Sequence, residues 1–296
     1  MSATATRRVY LLAHPAGHSL SPVMHNAAFE VLGIDAHYEA WDVLPQDLAA
    51  AMNRLRAAEV LGANVTIPHK QAVMPYVDEL SEAAQHIGAV NTIVNHQGLL
   101  LGHNTDAAGY TRALEQAGVQ VSGQNVLVLG AGGAARAIVF ALLQAGASLA
   151  LYNRTTQKAH DLAEAFAVLG DITVIDTPDD IPDDAPDNLY DDLYKVAKQA
   201  SLIVNTTSVG MAHGGIDPDV SPLPAEALPE AGFVSDIVYR PAQTRLLREA
   251  AQQGLGTQNG LPMLVYQGAE SFTMWTLEPP DTNVMFNAAN GVLEAE

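Results

Sequence analysis

The sequence predicts an α/β fold in two parts. Strand-like and helix-like segments alternate through the first hundred residues, which favours a sheet with helices on its faces. The run from Gln124 to Leu129, with Val-Leu-Val-Leu at its end, is almost purely apolar, as suits a parallel strand buried on both sides. A glycine-rich turn, Gly130 to Gly133, follows that strand and leads into a long apolar helix. At 296 residues the chain is long enough for two domains.

Taken in order, residues 7–12 read as a first strand and 13–22 as a turn-rich loop. A helical pattern runs from about Val23 to Leu32, and His37–Trp41 reads as a second strand. Apolar spacing predicts a helix over Leu48–Glu59 and a strand over Ala63–Ile67 that stops at Pro68. Helical turns are expected at Ala72–Val77 and Ser81–Ile87, then a strand over Ala89–Asn95 entering a hairpin at Gly98. Thr105 or Asp106 can cap a helix that Gly118 stops. The second part begins with a strand over Gln124–Leu129 and a helix reaching Ala145. Further strands are expected at 148–152, 201–205 and 233–238. Pro262 suits the first turn of a last helix extending to about residue 277, and the tail after Pro279 is expected to pack loosely. The first domain is therefore 1–106 with 262–296, the second 107–261, with a cleft between them that hinge motion could close.

Composition narrows the function. There is no cysteine, so disulfides, thiolate nucleophiles and Cys-ligated metals are excluded. Lys+Arg 14 against Asp+Glu 33 gives a net charge of −19, which repels nucleic acid and anionic membranes. No apolar run reaches the ~18 residues of a membrane span, and the N-terminus carries no signal-peptide pattern. These points lead us to expect a cytoplasmic protein acting on a small molecule. Nine aspartates without a Lys or Arg lie between Asp171 and Asp192, a pattern typical of a solvated acidic loop. With only four lysines in the chain, the acid excess also fits adaptation to a salty cytoplasm.

Gly130, Gly132 and Ala135 match G-x-G-x-x-A between strand and helix. The first glycine permits the tight turn, the second lets a pyrophosphate approach the backbone, and the alanine keeps the helix close to the sheet. The helix N-terminus faces the anion. Enzymes that use NAD usually carry an acid at the end of the next strand for the ribose hydroxyls. Here the chain reads Tyr152-Asn153-Arg154-Thr155. No carboxylate repels a 2′-phosphate, and Arg154 can pair with one. NADP is therefore the expected cofactor, and no metal is.

Four polar segments punctuate the first part: His18-Ser-Leu-Ser-Pro22, Asn64 to Lys70, Ala89 to Thr92, and Gly102 to Asp106. Strand alternation puts Asn64 and Thr66 on one side. The hydroxyls of Ser19 and Ser21 could hold a carboxylate, while Lys70 and Asp106 form a candidate acid/base pair. Singly, each has an ordinary reading: Ser21 as a turn residue, Asp106 as a helix cap, Lys70 as a surface cation, Asn91 as a partner of local backbone groups.

Jointly they resemble the shikimate dehydrogenase family. The matching stretches are SLSPVMHN (19–26), GANVTIPHK (62–70), GAVNT (88–92), NTD (104–106), GAGGAARA (130–137), NRT (153–155), NTTSVGM (205–211) and GLPMLVYQGAESF (260–272). The resemblance implies NADPH-dependent reduction of 3-dehydroshikimate to shikimate, in aromatic amino-acid biosynthesis, by a monomer or homodimer with a Rossmann-like cofactor domain. It implies that Lys70 and Asp106 are catalytic and that Ser19, Ser21, Thr66, Asn91 and Gln267 hold substrate, with Asn64 and Tyr239 nearby. Gly130, Ala131, Gly132, Gly133 and Ala134, with Asn153, Arg154 and Thr155, would hold NADP. Ile237, Gly260 and Glu82 would be further cofactor neighbours, and Thr206 and Ser208 would line the nicotinamide side. Two alternatives are a quinate/shikimate dehydrogenase with relaxed cofactor use and a non-catalytic NADP-binding regulator. Against the first stand Ser21, where quinate-specific relatives carry threonine, and the missing acid near Asn153. Against the second stands the presence of both Lys70 and Asp106. The serine pair and Gln267 have no obvious use in a folate-type methylene dehydrogenase. Departures from the family pattern are Ala13 for a frequent glycine, Pro262 for a more usual glycine, an unusual Gly17-His18 and the long acidic stretch.

Overall fold

The computed structural model describes residues 6–177, 190–212 and 217–295. The chain divides into two compact units, Met1–Gly109 with Leu264–Glu296, and Tyr110–Met263.

In the first unit, strands β1 (Arg7–Ala13), β2 (Ala36–Asp42), β3 (Val60–Val65), β4 (Glu79–Leu80), β5 (Thr92–His96) and β6 (Leu99–His103) form a mixed sheet of order β2-β1-β3-β5-β6-β4. β1 pairs parallel to β2 and β3, whereas the β5–β6 hairpin joins antiparallel. Its helices are α1 (Ser21–Leu32), α2 (Leu48–Arg54), α3 (Glu82–Ile87), the start of α4 (Asp106–Gln116), most of α9 (Leu261–Thr276), and α10 (Thr282–Leu293). Leu12, Met52, Leu55, Ala63, Val73, Val90 and Ile93 lie in one core cluster. A second packing group stacks His25 of α1 on Tyr38 of β2 at 4.5 Å, with Phe272 and Trp275 of α9 beside it. A Cβ at Gly62 would lie 2.0 Å from the Ile93 carbonyl and 2.5 Å from Trp275 Nε1, so only glycine fits where this indole meets the sheet.

The second unit is fully parallel. Strands β7 (Asn125–Leu129), β8 (Ser148–Tyr152), β9 (Ile172–Val174), β10 (Leu202–Asn205), β11 (Phe233–Asp236) and β12 (Gly256–Gln258) take the order β9-β8-β7-β10-β11-β12. In chain order this is 3-2-1-4-5-6, the doubly wound dinucleotide-binding arrangement, which reverses direction between β7 and β10. Helices α5 (Gly133–Gln144), α6 (Thr156–Phe166), α7 (Asp191–Gln199) and α8 (Arg245–Gln252) supply the connections. Val126–Leu129 are all buried, as strands covered on both faces require.

Several expectations are corrected. The helix expected over Leu48–Glu59 ends at Arg54, and β3 starts at Val60 rather than Ala63. The Asn95 amide explains this, since it donates to the carbonyls of Leu55, Ala57 and Val60 at 2.8, 2.9 and 3.0 Å and so holds the chain in a turn. α1 begins two residues before Val23, with Pro22 in its first turn. Residues 72–77 make a 3₁₀ turn over Met74–Tyr76. The strand expected from Ala89 starts at Thr92. The tail after Pro279 is not loose: Asp281 caps α10 by accepting from Asn283 N at 2.8 Å, Met285 and Ala289 are buried, and Phe286 packs edge-on against Tyr266 at 5.5 Å. α6, α7 and α8 are not among the elements the sequence predicts. The acidic stretch 171–192 falls largely outside the described residues. Within it, Asp191 and Asp192 open α7, where acids suit the positive end of a helix.

Candidate functional site

In the first unit the predicted polar residues converge. Lys70 follows β3, and Asp106 is the first residue of α4. Lys70 Nζ donates to Asp106 Oδ2 at 2.6 Å, with side chains 12% and 5% exposed. This near-dry pair is held from behind. Asn91 Nδ2 donates to Asp106 Oδ1 and Thr105 Oγ1, each at 2.9 Å, and to Gln267 Oε1 at 3.1 Å, so two hydrogens serve three acceptors. Asn91 Oδ1 in turn accepts from Thr105 N at 2.8 Å. Asn104 Oδ1 accepts from Asp106 N at 3.1 Å, so the helix start and its carboxylate are fixed together.

Asn64 belongs to a layer beneath. Its amide donates to the Asn91 carbonyl, Thr92 Oγ1 and Ser271 Oγ at 3.0–3.2 Å, and it accepts from the Tyr38 hydroxyl at 2.9 Å. With its amide fully engaged, Asn64 orients Asn91. Gln267 and Ser271 lie one turn apart on α9, facing the same network. A Cβ at Gly109 would sit 2.6 Å from Gln267 N and Cβ, so this glycine lets α4 close on α9 and fixes Gln267. Ser19 Oγ accepts from Ser21 N at 3.1 Å, and Ser19 and Thr66 are partly exposed. Sequence reasoning misses Thr92, Ser271 and Tyr38 as members of this network and offers Thr105 only as a helix cap. The i,i+4 spacing of Gln267 and Ser271 was the signal available for one of them.

In the second unit, Gly130 has φ +105°, and a Cβ there would lie 2.6 Å from Thr206 Oγ1 and 2.9 Å from Thr207 Cγ2. Gly132 precedes α5, with no side chain capping the helix, and a Cβ on it would meet nothing within 4 Å. Uncapped N–H groups beside open space form an anion site. Ala131 N donates to Asn153 Oδ1 at 3.1 Å, and Asn153 Nδ2 donates to the Thr155 carbonyl at 2.8 Å, tying the turn to the end of β8. Arg154 is exposed there and has no ion-pair partner among the described residues. These features fit a dinucleotide bearing an extra phosphate.

Thr206 is buried, and its hydroxyl donates to the Leu129 carbonyl at 2.7 Å, bracing β10 against β7 where the strand order reverses. Ser208 is exposed two residues on. A Cβ on Gly260 would lie 1.9 Å from the Ile237 carbonyl, so packing requires glycine there. Tyr239 lies in the loop after β11, and Glu82 is exposed in the first turn of α3, a favourable place for an acid. Among the described residues no group of three His, Cys, Asp or Glu is placed to hold a metal ion, and no helix is long and apolar enough to cross a membrane.

Comparison with known proteins gives the family. Residues 11–93 match the shikimate dehydrogenase substrate binding domain, 112–179 the shikimate/quinate 5-dehydrogenase family, and 260–289 the shikimate 5′-dehydrogenase C-terminal domain. The chain is 45% identical over 97% of its length to "Shikimate dehydrogenase (NADP(+))" of a Thermus thermophilus strain, covering 98% of that protein. It is 46% identical to the Symbiobacterium thermophilum protein of the same name, over 97% of this chain and 94% of that one. The crystal structure of shikimate 5-dehydrogenase from a second Thermus thermophilus strain, in complex with NADP(H) and shikimate, superposes with a TM-score of 0.85. That match is at 44% identity and covers 97% of this chain and all (100%) of that one. With this identity along nearly its whole length, a doubly wound unit with an uncapped glycine turn, and a buried lysine–aspartate pair, the chain belongs to the shikimate dehydrogenase family.

Proposed function

We propose that the chain interconverts 3-dehydroshikimate and shikimate with NADP as cofactor, a step of aromatic amino-acid biosynthesis. The observation that carries this reading is the Lys70–Asp106 pair at 2.6 Å, buried but open enough at Lys70 for a ligand to reach the ammonium.

The hydroxyls of Ser19 and Ser21 receive the substrate carboxylate, a neutral donor pair that binds an anion without a competing cation. Thr66, Asn91 and Gln267 meet the ring hydroxyls. When bound, NADPH supplies the hydride that reduces the substrate ketone. As that carbonyl oxygen gains charge, Lys70 Nζ donates a proton to it, and in the reverse direction takes it back. Asp106 keeps Lys70 aimed and balances its charge, and Asn91 keeps Asp106 from rotating away. In the second unit, the α5 N-terminus receives the pyrophosphate, and Arg154 meets the 2′-phosphate with its guanidinium fork.

Initial rates with shikimate and with quinate, each paired with NADP and with NAD, test the reading. Shikimate with NADP should exceed the other three pairings. A faster rate with quinate, or equal rates with NAD, would replace it with a broad-specificity quinate/shikimate enzyme.

A further inference from the structure

A buried acid in the second unit is used by none of these steps. Asp236 ends β11 and is fully shielded from solvent. Its carboxylate accepts three hydrogen bonds: from Asn205 Nδ2 and Val238 N, each at 3.0 Å, and from the Thr244 hydroxyl at 2.7 Å. The amide of Asn205 also governs the next loop, because its Oδ1 accepts from Thr207 N at 3.0 Å and Thr207 Oγ1 at 2.7 Å. Thr206 and Thr207 are the residues packed against Gly130.

An amide of the same shape could accept from Asn205 and Val238 and donate to Thr244, so packing does not demand a carboxylate here. Among the described residues no cation pairs with this carboxylate, so it projects a negative field, and the position is informative. In a doubly wound sheet a dinucleotide lies across the strand ends where the order reverses. The glycine turn after β7 takes the pyrophosphate and the end of β8 takes the adenosine ribose. The nicotinamide half therefore belongs to the ends of β10 and β11, where Asn205 and Asp236 stand.

We propose that Asp236 sets the cofactor's redox preference: its buried charge favours the cationic, oxidised nicotinamide over the neutral, reduced one. The inference rests on the NADP reading above. Burial pushes the Asp236 carboxyl up to about 6, against the three donors that favour its charged form, so the charge is present at neutral pH and withdrawn in mild acid. The groups bonded to it are uncharged, and the titratable Tyr110 lies at the neighbouring Ser235. Asn205 faces it from β10 and Thr244 from α8, whose Arg245 pairs with Glu249 and whose Arg248 pairs with Asp219. The paired stretch of β12, Gly256–Gln258, has no titratable side chain, and Tyr239 and Arg240 follow in Asp236's own loop.

The test is fluorescence and calorimetric titration of NADP⁺ and NADPH, without substrate, on the full chain. In Asp236→Asn the ratio of the two dissociation constants should move about fivefold toward NADPH, as the loss of one charge acting through protein implies. Thr244→Ser trims the packing of the same network but keeps the hydroxyl and the charge, and should leave the ratio within about twofold. In the wild type the ratio should drift toward NADPH between pH 8 and pH 5, which keeps the idea testable if Asp236→Asn fails to fold. The 2′-phosphate titrates in both forms and cancels. An unchanged ratio in Asp236→Asn, an equal shift in Thr244→Ser, or a ratio flat with pH would overturn the proposal. Binding of neither nucleotide by the wild type would overturn the NADP reading itself.

Discussion

The first unit builds its site from side chains and the second from backbone. Around Lys70 and Asp106, the selectivity lies in amides and hydroxyls that bond to one another in two layers, from Asn64 and Ser271 up to Asn91 and Gln267. Around Gly130 and Gly132, it lies in the absence of side chains: a positive φ, an uncapped helix and open space where a Cβ would be. The difference decides what mutation does. A side-chain network fails at single atoms and mostly in rate. A backbone cradle fails by steric intrusion and mostly in affinity.

The largest effect should come at Lys70. Lys70→Met removes the proton donor while keeping much of the apolar stem, and kcat should fall about 10²–10⁴-fold with a smaller change in KM for shikimate. Steady-state rates on a variant shown to be folded by its melting curve check this. Equal losses in kcat and affinity would recast Lys70 as a binding group. Conversely, a bulky side chain at Gly132 should raise the Kd for NADP while leaving shikimate binding intact. That contrast is the sharpest way to break the comparison.

In each unit burial shifts a titratable group, Asp236 in the second and His25 in the first, and the two slope in opposite directions with pH. Burial holds the Asp236 carboxyl at about 6 against an ordinary 3.8. The folded state thus binds its proton more tightly than the unfolded chain. Stability from this group is fully present below about pH 4 and is lost as pH rises to about 6, by about 3 kcal/mol. Relative to wild type, Asp236→Asn should therefore gain about that much between pH 4 and 7 in urea unfolding. A difference that stays flat over this range would show that the carboxylate is better solvated than its burial suggests.

His25 is the mirror case. It is wholly buried, its ring nitrogens have no hydrogen-bond partner among the described residues, and burial pulls it down to about 3 from 6.5. Here the unfolded chain binds the proton first, so stability is lost as pH falls below 6.5. At pH 5 the loss is about 2 kcal/mol. His25→Phe keeps the stacking on Tyr38 and removes the titration, and the gap between it and wild type should widen in its favour as the pH drops from 7 to 5. A constant gap would mean that water or a proton reaches the ring.

The contrast between the units also explains what the sequence could disclose. Lys70, Asn91, Asp106 and Gln267 were legible because chemistry-bearing residues stand out at strand ends and helix starts. The glycine turn was legible because β7 before it and α5 after it are so strongly apolar. What escaped was tertiary. Asn95 cuts a helix short from forty residues away. Asp281 and the buried Met285 organise a tail whose composition looked loose. Asn205, Asp236 and Thr244 come together only when β10, β11 and α8 assemble. α6 and α8 are amphipathic with good helix formers, a weaker signal than the dense apolar runs of the strands between them.

Arg154 gives the finest test, because in the second unit it is the side chain proposed to tell NADP from NAD. It is exposed after β8, with Asn153 turned inward to the glycine loop in place of the acid that NAD sites use. A solvent-exposed ion pair contributes modestly, but a guanidinium fork on a phosphate is charge-assisted and worth about 1.5–3 kcal/mol. Screening of this exposed group brings that down to about 1 kcal/mol. Arg154→Ala should therefore weaken NADP by about five- to tenfold, leave NAD nearly unchanged, and flatten the salt dependence of NADP binding. Because the chain carries a net charge of −19, Arg154 also works against a repulsive background. Added salt should thus weaken the local attraction and relieve the general repulsion at once. If NADP and NAD affinities fall together, the arginine is shaping the loop and the preference for the extra phosphate arises elsewhere along α6.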